Sequence, residues 1–144
     1  MANPFVMLVD DESDFIETMS KRLQKRGFKV LTATEGKEAL ELVGKNRNLE
    51  VMILDVKMPG MDGIEVLREM KKSYPLIEVI MLTGHATIES AIDGMKIGAF
   101  DYLMKPCNIE QLSQKVQEAV EKRRAQEEKI EKARMEKVVS TRGI

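Results

Sequence analysis

Three stretches of this chain contain no polar residue: Phe5-Val6-Met7-Leu8-Val9, Val51-Met52-Ile53-Leu54 and Val79-Ile80-Met81-Leu82. A strand with one face in water alternates apolar and polar residues, and a strand buried on both faces does not. Sheets covered on both faces are mostly parallel, because the crossover helices that join parallel strands lie against them. The segments between the runs have helical periodicity, and two weaker strands complete the set. Lys29 to Thr34 alternates and belongs at a sheet edge, and Ala99 to Met104 reads as the fifth strand. The pattern is an α/β fold, a (βα)5 alternation with short connections. Right-handed crossovers then place helices on both faces, a doubly wound parallel sheet.

The helices carry their own punctuation. Ser13 or Asp14 can cap a first helix presenting Phe15, Ile16, Met19 and Leu23 on one stripe, with Gly27 ending it. Ala39, Leu40, Leu42 and Val43 mark a second, stopped near Gly44 and Asn46. Met58-Pro59-Gly60-Met61-Asp62-Gly63 is a loop by its Pro-Gly and Asp-Gly pairs. A third helix carries Ile64, Leu67 and Met70 and ends before Pro75. Thr87 caps a fourth carrying Ile88, Ala91, Ile92 and Met95. Asn108 caps a fifth, with Gln111 placed for a capping box and Leu112, Val116 and Val120 facing inward.

At 144 residues the chain holds one domain with a proper core and little more. Net charge of -1 argues against a global field for nucleic acid or an anionic membrane. The apolar runs fall far short of the ~20 residues a membrane helix needs, and Met1-Ala2-Asn3-Pro4 opens no signal peptide. A single cysteine, Cys107, excludes an intramolecular disulfide and a multi-cysteine zinc site, and suits packing. The expected setting is a reducing cytoplasm.

Polar residues stand at the ends of the apolar runs. Asp10 and Asp11 close the first, Asp55 the second and Thr83 the third, while Lys105 follows Tyr102-Leu103-Met104. Ligands of open parallel sheets sit just beyond the carboxyl ends of the strands. The fold would therefore bring three carboxylates, a hydroxyl and an ammonium to one place. Mg²⁺ takes oxygen ligands and keeps several waters, so one or two carboxylates and a phosphate oxygen suffice. The set suits a divalent cation and a phosphoryl group, with Asp55 as acceptor. Taken alone, an Asp-Asp pair after a strand is as readily a turn or a helix cap.

With these residues in this order, the chain resembles a receiver domain of two-component response regulators. The resemblance rests on Asp10-Asp11, Asp55 with Met58 to Gly63, Thr83-Gly84 and Tyr102-Leu103-Met104-Lys105-Pro106, and it covers roughly Phe5 to Val120. It implies a flavodoxin-like fold with strand order 2-1-3-4-5. It also implies that Asp55 takes a phosphoryl group from a phosphohistidine, either of a sensor histidine kinase or of a histidine phosphotransfer protein. Asp11 and Asp55 would hold Mg²⁺ (or Mn²⁺) directly, Asp10 mostly through water, and the backbone carbonyl of Lys57 would complete the protein ligands. Lys105 would pair with the phosphoryl oxygens, and Thr83 would donate its hydroxyl. Thr83 and Tyr102 would then switch the face made by helix 4, strand 5 and helix 5, which a downstream partner or a second copy reads. A cis bond is expected before Pro106. Such a chain is no enzyme beyond its own phosphorylation and dephosphorylation, and contacts neither nucleic acid nor membrane itself. Lys57 and His85 flank the path of attacking water and would tune hydrolysis, although a lone histidine is often inert.

Two rivals fit less well. A phosphohydrolase using an aspartyl phosphate usually has a second Asp where Lys57 stands. A flavin-phosphate binder needs a Ser/Thr/Gly-rich loop after the first strand, and the loop here is Asp10-Asp11-Glu12-Ser13-Asp14. The receiver is expected over residues 1–121, with a charged helical extension or tail over 122–144. Residues 121–137 contain five Glu and seven Lys or Arg. They read as a solvated helix, a weak coiled-coil seam that could make a homodimer, or a linker. The chain is thus expected to be a stand-alone receiver, or the front of a longer enhancer-binding regulator.

Overall fold

The structure is a computed structural model and describes residues 3–84 and 87–141. Five strands and five helices alternate: β1 (Phe5–Val9), α1 (Ser13–Lys25), β2 (Lys29–Ala33), α2 (Gly36–Lys45), β3 (Val51–Leu54), α3 (Gly63–Ser73), β4 (Glu78–Thr83), α4 (Ile88–Ile97), β5 (Asp101–Met104) and α5 (Ile109–Thr141). The strands form one parallel sheet in the order β2-β1-β3-β4-β5, so the alternating β2 is at an edge as its polarity requires. The order reverses between β1 and β3, and ligand crevices of such sheets open at that reversal.

Side-chain alternation splits the core in two. Val6 and Leu8 of β1, with Ile53, Ile80 and Leu82, face α1 and α5. Met7 and Val9, with Met52, Leu54 and Met81, face α2 and α3. Each large apolar side chain so buried contributes ~1.5–3 kcal/mol. Gly27 ends α1 at φ +89, where Phe28 N–H bonds back to Leu23 O at 3.2 Å. That left-handed turn is the usual helix stop. Among the described residues no helix is long and apolar enough to cross a membrane.

Several local expectations change. The cap residue of α1 is Glu12, not Ser13 or Asp14, and no side chain caps it. The reason lies one step earlier: Asp10 Oδ1 accepts from Glu12 N–H at 2.9 Å, so the chain turns sooner and Ser13 is already helical. β5 begins at Asp101 rather than Ala99, because Ala99 N–H still bonds to Gly94 O at the end of α4. Asn108 does cap α5, accepting from Gln111 N–H at 2.7 Å, while the Gln111 amide oxygen accepts from Cys107 Sγ. The apolar residues of α4 lie outside the core. Ile88 is 82% exposed, with Ile92, Met95 and Met104 of β5 also open. The helix seats itself through buried Gly94, against which the Tyr102 ring lies.

Helix α5 runs unbroken past residue 121, and its second part is tied to the opposite end of the sheet. Arg124 makes two hydrogen bonds to Glu50, at 2.7 and 3.0 Å. Arg123 donates to Leu49 O at 3.1 Å and pairs with Glu127. Lys122 Nζ stands 3.1 Å from Glu78 Oε2 at an angle unsuited to a hydrogen bond, so that pairing is by charge alone. From Ala125 to Val139 the helix is exposed throughout.

Candidate functional site

Register brings the strand ends together. Val9 lies beside Leu54, and Leu54 beside Met81, so the residues that follow emerge along one rim. Asp55 N–H bonds to Val9 O at 3.0 Å, and Lys105 N–H to Thr83 O at 2.9 Å. These bonds extend the ladders by one step and fix where Asp55 and Lys105 leave the sheet. The β3–α3 loop folds back beneath Asp55 because residue 63 is glycine. A Cβ there would collide with the Asp55 carbonyl oxygen and lie 2.7 Å from Val56 Cα.

Asp10, Asp11 and Asp55 each present a carboxylate oxygen, all within 4.8 Å of one another. Asp10 and Asp55 are buried, and Asp11 is exposed at the mouth. Lys105 Nζ donates to Asp10 Oδ2 at 2.6 Å and stands 3.4 Å from Glu12 Oε1. Burial raises the Asp10 pKa above the ordinary carboxylate value. The Lys105 and Glu12 hydrogen bonds oppose this, and the Asp55 charge adds to it. Burial also works against the Lys105 charge, but its hydrogen bond to Asp10 and the charges of Asp10, Asp55 and Glu12 hold its pKa above the ordinary lysine value. One ammonium therefore serves a corner holding several acids. Asp55 Oδ1 is buried with no hydrogen-bond partner among the described residues. An unpaired buried carboxylate oxygen is costly, and a hard cation among these oxygens would satisfy it. The donor set thus fits Mg²⁺.

Thr83 is fully buried at the end of β4. Tyr102 is half-buried, and its hydroxyl lies 2.8 Å from Ser90 Oγ, inside the capping box of α4. Lys57 is exposed on the loop after Asp55 and shares an open cleft with Asp11, Met58, Pro59 and Asp62. His85 lies outside the described residues. The Lys105–Pro106 bond is cis. Cys107 is half-buried against the α1/α5 core layer, and burial pushes its thiol pKa up.

Three neighbours escaped the sequence reading. Glu12 reaches Lys105, a contact that adjacency to the aspartate pair hints at. Phe15 fitted the core stripe of α1, yet Lys105 Nζ lies 4.0 Å from its ring centroid. Ser90 gave no signal, since its meeting with Tyr102 depends on how α4 packs on β5.

The family model of the response regulator receiver domain matches residues 6–117. This chain belongs to that family. An NtrX-like response regulator of Rickettsia bellii is 36% identical over 128 residues, which are 88% of this receiver chain and 27% of the relative. The DNA-binding transcriptional regulator NtrC of Escherichia coli K12 is 33% identical over 83% of the chain and 25% of its own length. The chain thus spans about a quarter of these curated relatives. Among solved structures, a response regulator receiver domain protein from Clostridium thermocellum superposes with a TM-score of 0.81 at 38% identity, covering 85% of this chain and 98% of that one. The receiver domain of NtrX from Brucella abortus gives 0.75 at 31%, covering 81% and 98%. The sequence-based family and strand order both stand, and the receiver is a signalling domain of two-component systems.

Proposed function

We propose that this receiver takes a phosphoryl group on Asp55 from a phosphohistidine of a sensor kinase or a histidine phosphotransfer protein. The observation that carries the reading is the buried Asp55 Oδ1, without a hydrogen-bond partner among the described residues, in the same pocket as Asp10, Asp11 and the Lys105 ammonium. An Asp55 carboxylate oxygen forms the new bond to phosphorus. The phosphorus–nitrogen bond breaks, and the imidazole leaves with its electron pair and takes up a proton. Asp11 and Asp55 would hold Mg²⁺ or Mn²⁺, with Asp10 acting through water and Lys57 through its carbonyl. The cation supplies neutralisation of the charge that gathers on the phosphoryl oxygens. Lys105 leaves Asp10 to pair with one of those oxygens, and Thr83 donates its hydroxyl to another. Positioning and charge are most of what phosphoryl transfer needs.

The output follows from the same residues. Movement of Thr83 toward the phosphoryl frees space near the start of α4, and Tyr102 exchanges its Ser90 contact for a deeper position. The exposed Ile88, Ile92, Met95 and Met104 lie on the face that would change, and a protein partner or a second copy would read it. Lys57, exposed beside the pocket, would slow hydrolysis. Lys57→Asn is expected to speed loss of the phosphoryl, and an unchanged rate removes that role. His85 would tune the rate differently, by guiding the attacking water.

Incubation with Mg²⁺ and acetyl phosphate, followed by intact mass, tests the chemistry. A gain of about 80 Da, one covalent phosphoryl group, that is lost in Asp55→Ala supports it. No gain at saturating Mg²⁺ overturns it. A second reading makes residues 1–121 the N-terminal receiver of a longer enhancer-binding regulator, with the charged segment 122–144 as its connection. It draws on the quarter-length match to NtrC and the unbroken α5.

A further inference from the structure

Phe15 sits on α1 at the margin of the α1/α5 core layer. Its ring centroid lies 4.0 Å from Lys105 Nζ. The same nitrogen is 2.6 Å from Asp10 Oδ2 and 3.4 Å from Glu12 Oε1, and the lysine side chain is only 13% exposed. A lysine head group is strongly hydrated and rides on a flexible four-carbon stem. In this corner it has lost much of its water. The negative face of an aromatic ring within ~6 Å replaces part of that hydration. The ring is also rigid, so it restricts where the ammonium can go. The contact ties α1 to the residue after β5, elements that adjoin only in the folded sheet.

We propose that Phe15 is a positioning residue for Lys105, holding its ammonium over the acidic pocket before a phosphoryl group arrives. This rests on the reading of Lys105 as the phosphoryl's partner. The carboxylates of Asp10 and Glu12 attract the ammonium, and the ring occupies a part of its surroundings that water would otherwise fill. The stem is ordered by the fold, so an incoming oxyanion meets a lysine with fewer rotamers left to lose. Leucine at position 15 would keep apolar packing without the ring's quadrupole, whereas tyrosine would keep both.

Two measurements on the whole chain test this in Phe15→Leu and Phe15→Tyr. The first is the NMR shift of the Lys105 ε-protons. A ring above them moves the signal upfield in the parent and in Phe15→Tyr, and the displacement disappears in Phe15→Leu. The second is the affinity for fluoroberyllate, a phosphoryl mimic, at saturating Mg²⁺. It is expected to weaken roughly 3- to 10-fold in Phe15→Leu and to recover in Phe15→Tyr. Phe15→Met, with its adaptable side chain, supplies the same comparison should the leucine variant not fold. Parent-like fluoroberyllate affinity in the leucine or methionine variant overturns the role of Phe15 while leaving the phosphoryl chemistry intact. A parent that binds no fluoroberyllate sinks the functional reading, and the role of Phe15 with it, even where the ring shift persists.

Discussion

Both ends of the sheet bury acids, and the two ends treat them differently. At the amino ends of β3 and β4, Glu50 and Glu78 meet Arg124, Lys122 and Lys71, cations supplied by α5 and α3. At the carboxyl ends, Asp10, Asp11 and Asp55 cluster, Lys105 pairs with Asp10 and Glu12, and Asp55 keeps an oxygen without a hydrogen-bond partner among the described residues. In the first, each acid has cations of the chain beside it, although Glu78 Oε2 makes no hydrogen bond, and the pairing holds a helix in place. Among the described residues, the second holds more acids than cations. Buried acids thus meet several cations from α3 and α5 at one end and gather around Lys105 at the other.

The largest expected effect falls at the functional end, where backbone rather than charge sets the limit. Overpacking costs ~1–3 kcal/mol when side chains can yield. In Gly63→Ala the obstacle is the backbone of Asp55 and Val56, so a loss of about 3 kcal/mol or more is expected in urea unfolding. A change under ~1 kcal/mol would show that the loop is looser than it looks.

Arg124→Ala comes next. It leaves Glu50 buried beside Phe5 N–H without its cation. Breaking a fully buried pair costs ~3–5 kcal/mol, and the partial exposure of Arg124 reduces this to about 2. Amide exchange over 122–130 should speed up in parallel. Parent-like stability would remove the distinction between the two ends.

Asp55→Asn should go the other way. Removing one surplus acid is expected to raise stability by about 1 kcal/mol in metal-free buffer, as relief of a functional site often does. Adding Mg²⁺ at ten times its Kd should stabilise the parent by ~1.4 kcal/mol and the variant much less, and chelation should reverse the gain. A destabilised Asp55→Asn variant without metal would mean the acids are not in surplus.

The smallest effect is a slope. Burial lowers the Lys71 pKa below 10.5, against the pull of Glu78 and with a minor push from Lys122; its other partners are the carbonyls of Pro75 and Ile77. Between the folded value and 10.5 the unfolded chain holds the extra proton. Stability from this group therefore rises with pH across that window. Urea midpoints of Lys71→Met, compared with the parent as pH rises toward 10.5, should lack that rise. An identical slope would mean that burial does not strain this lysine.

Much of the architecture was legible from local pattern. Unbroken apolar runs of four or five residues between helical segments fit central parallel strands, and the alternation of Lys29 to Thr34 fits an edge, so strand burial and helix count followed from hydrophobic period and segment order. That Asp10, Asp11, Asp55, Thr83 and Lys105 would lie along one rim was legible because a parallel sheet delivers its strand ends there. The exposure of Ile88, Ile92 and Met95 was not legible, because period marks an apolar face without saying whether anything covers it. The cap of α1 was misread because Asp10 turns the chain early, an interaction across residues that pattern does not report.

What the sequence determined by itself is therefore periodic: which segments are strands, which are helices, and which chemistry sits at each strand end. What tertiary structure alone decided is pairwise. The meetings of Phe15 with Lys105, Tyr102 with Ser90, and Arg124 with Glu50 join residues on different elements. Such contacts depend on helix placement to within an ångström or two, and a linear pattern sets only the direction in which a side chain leaves the backbone.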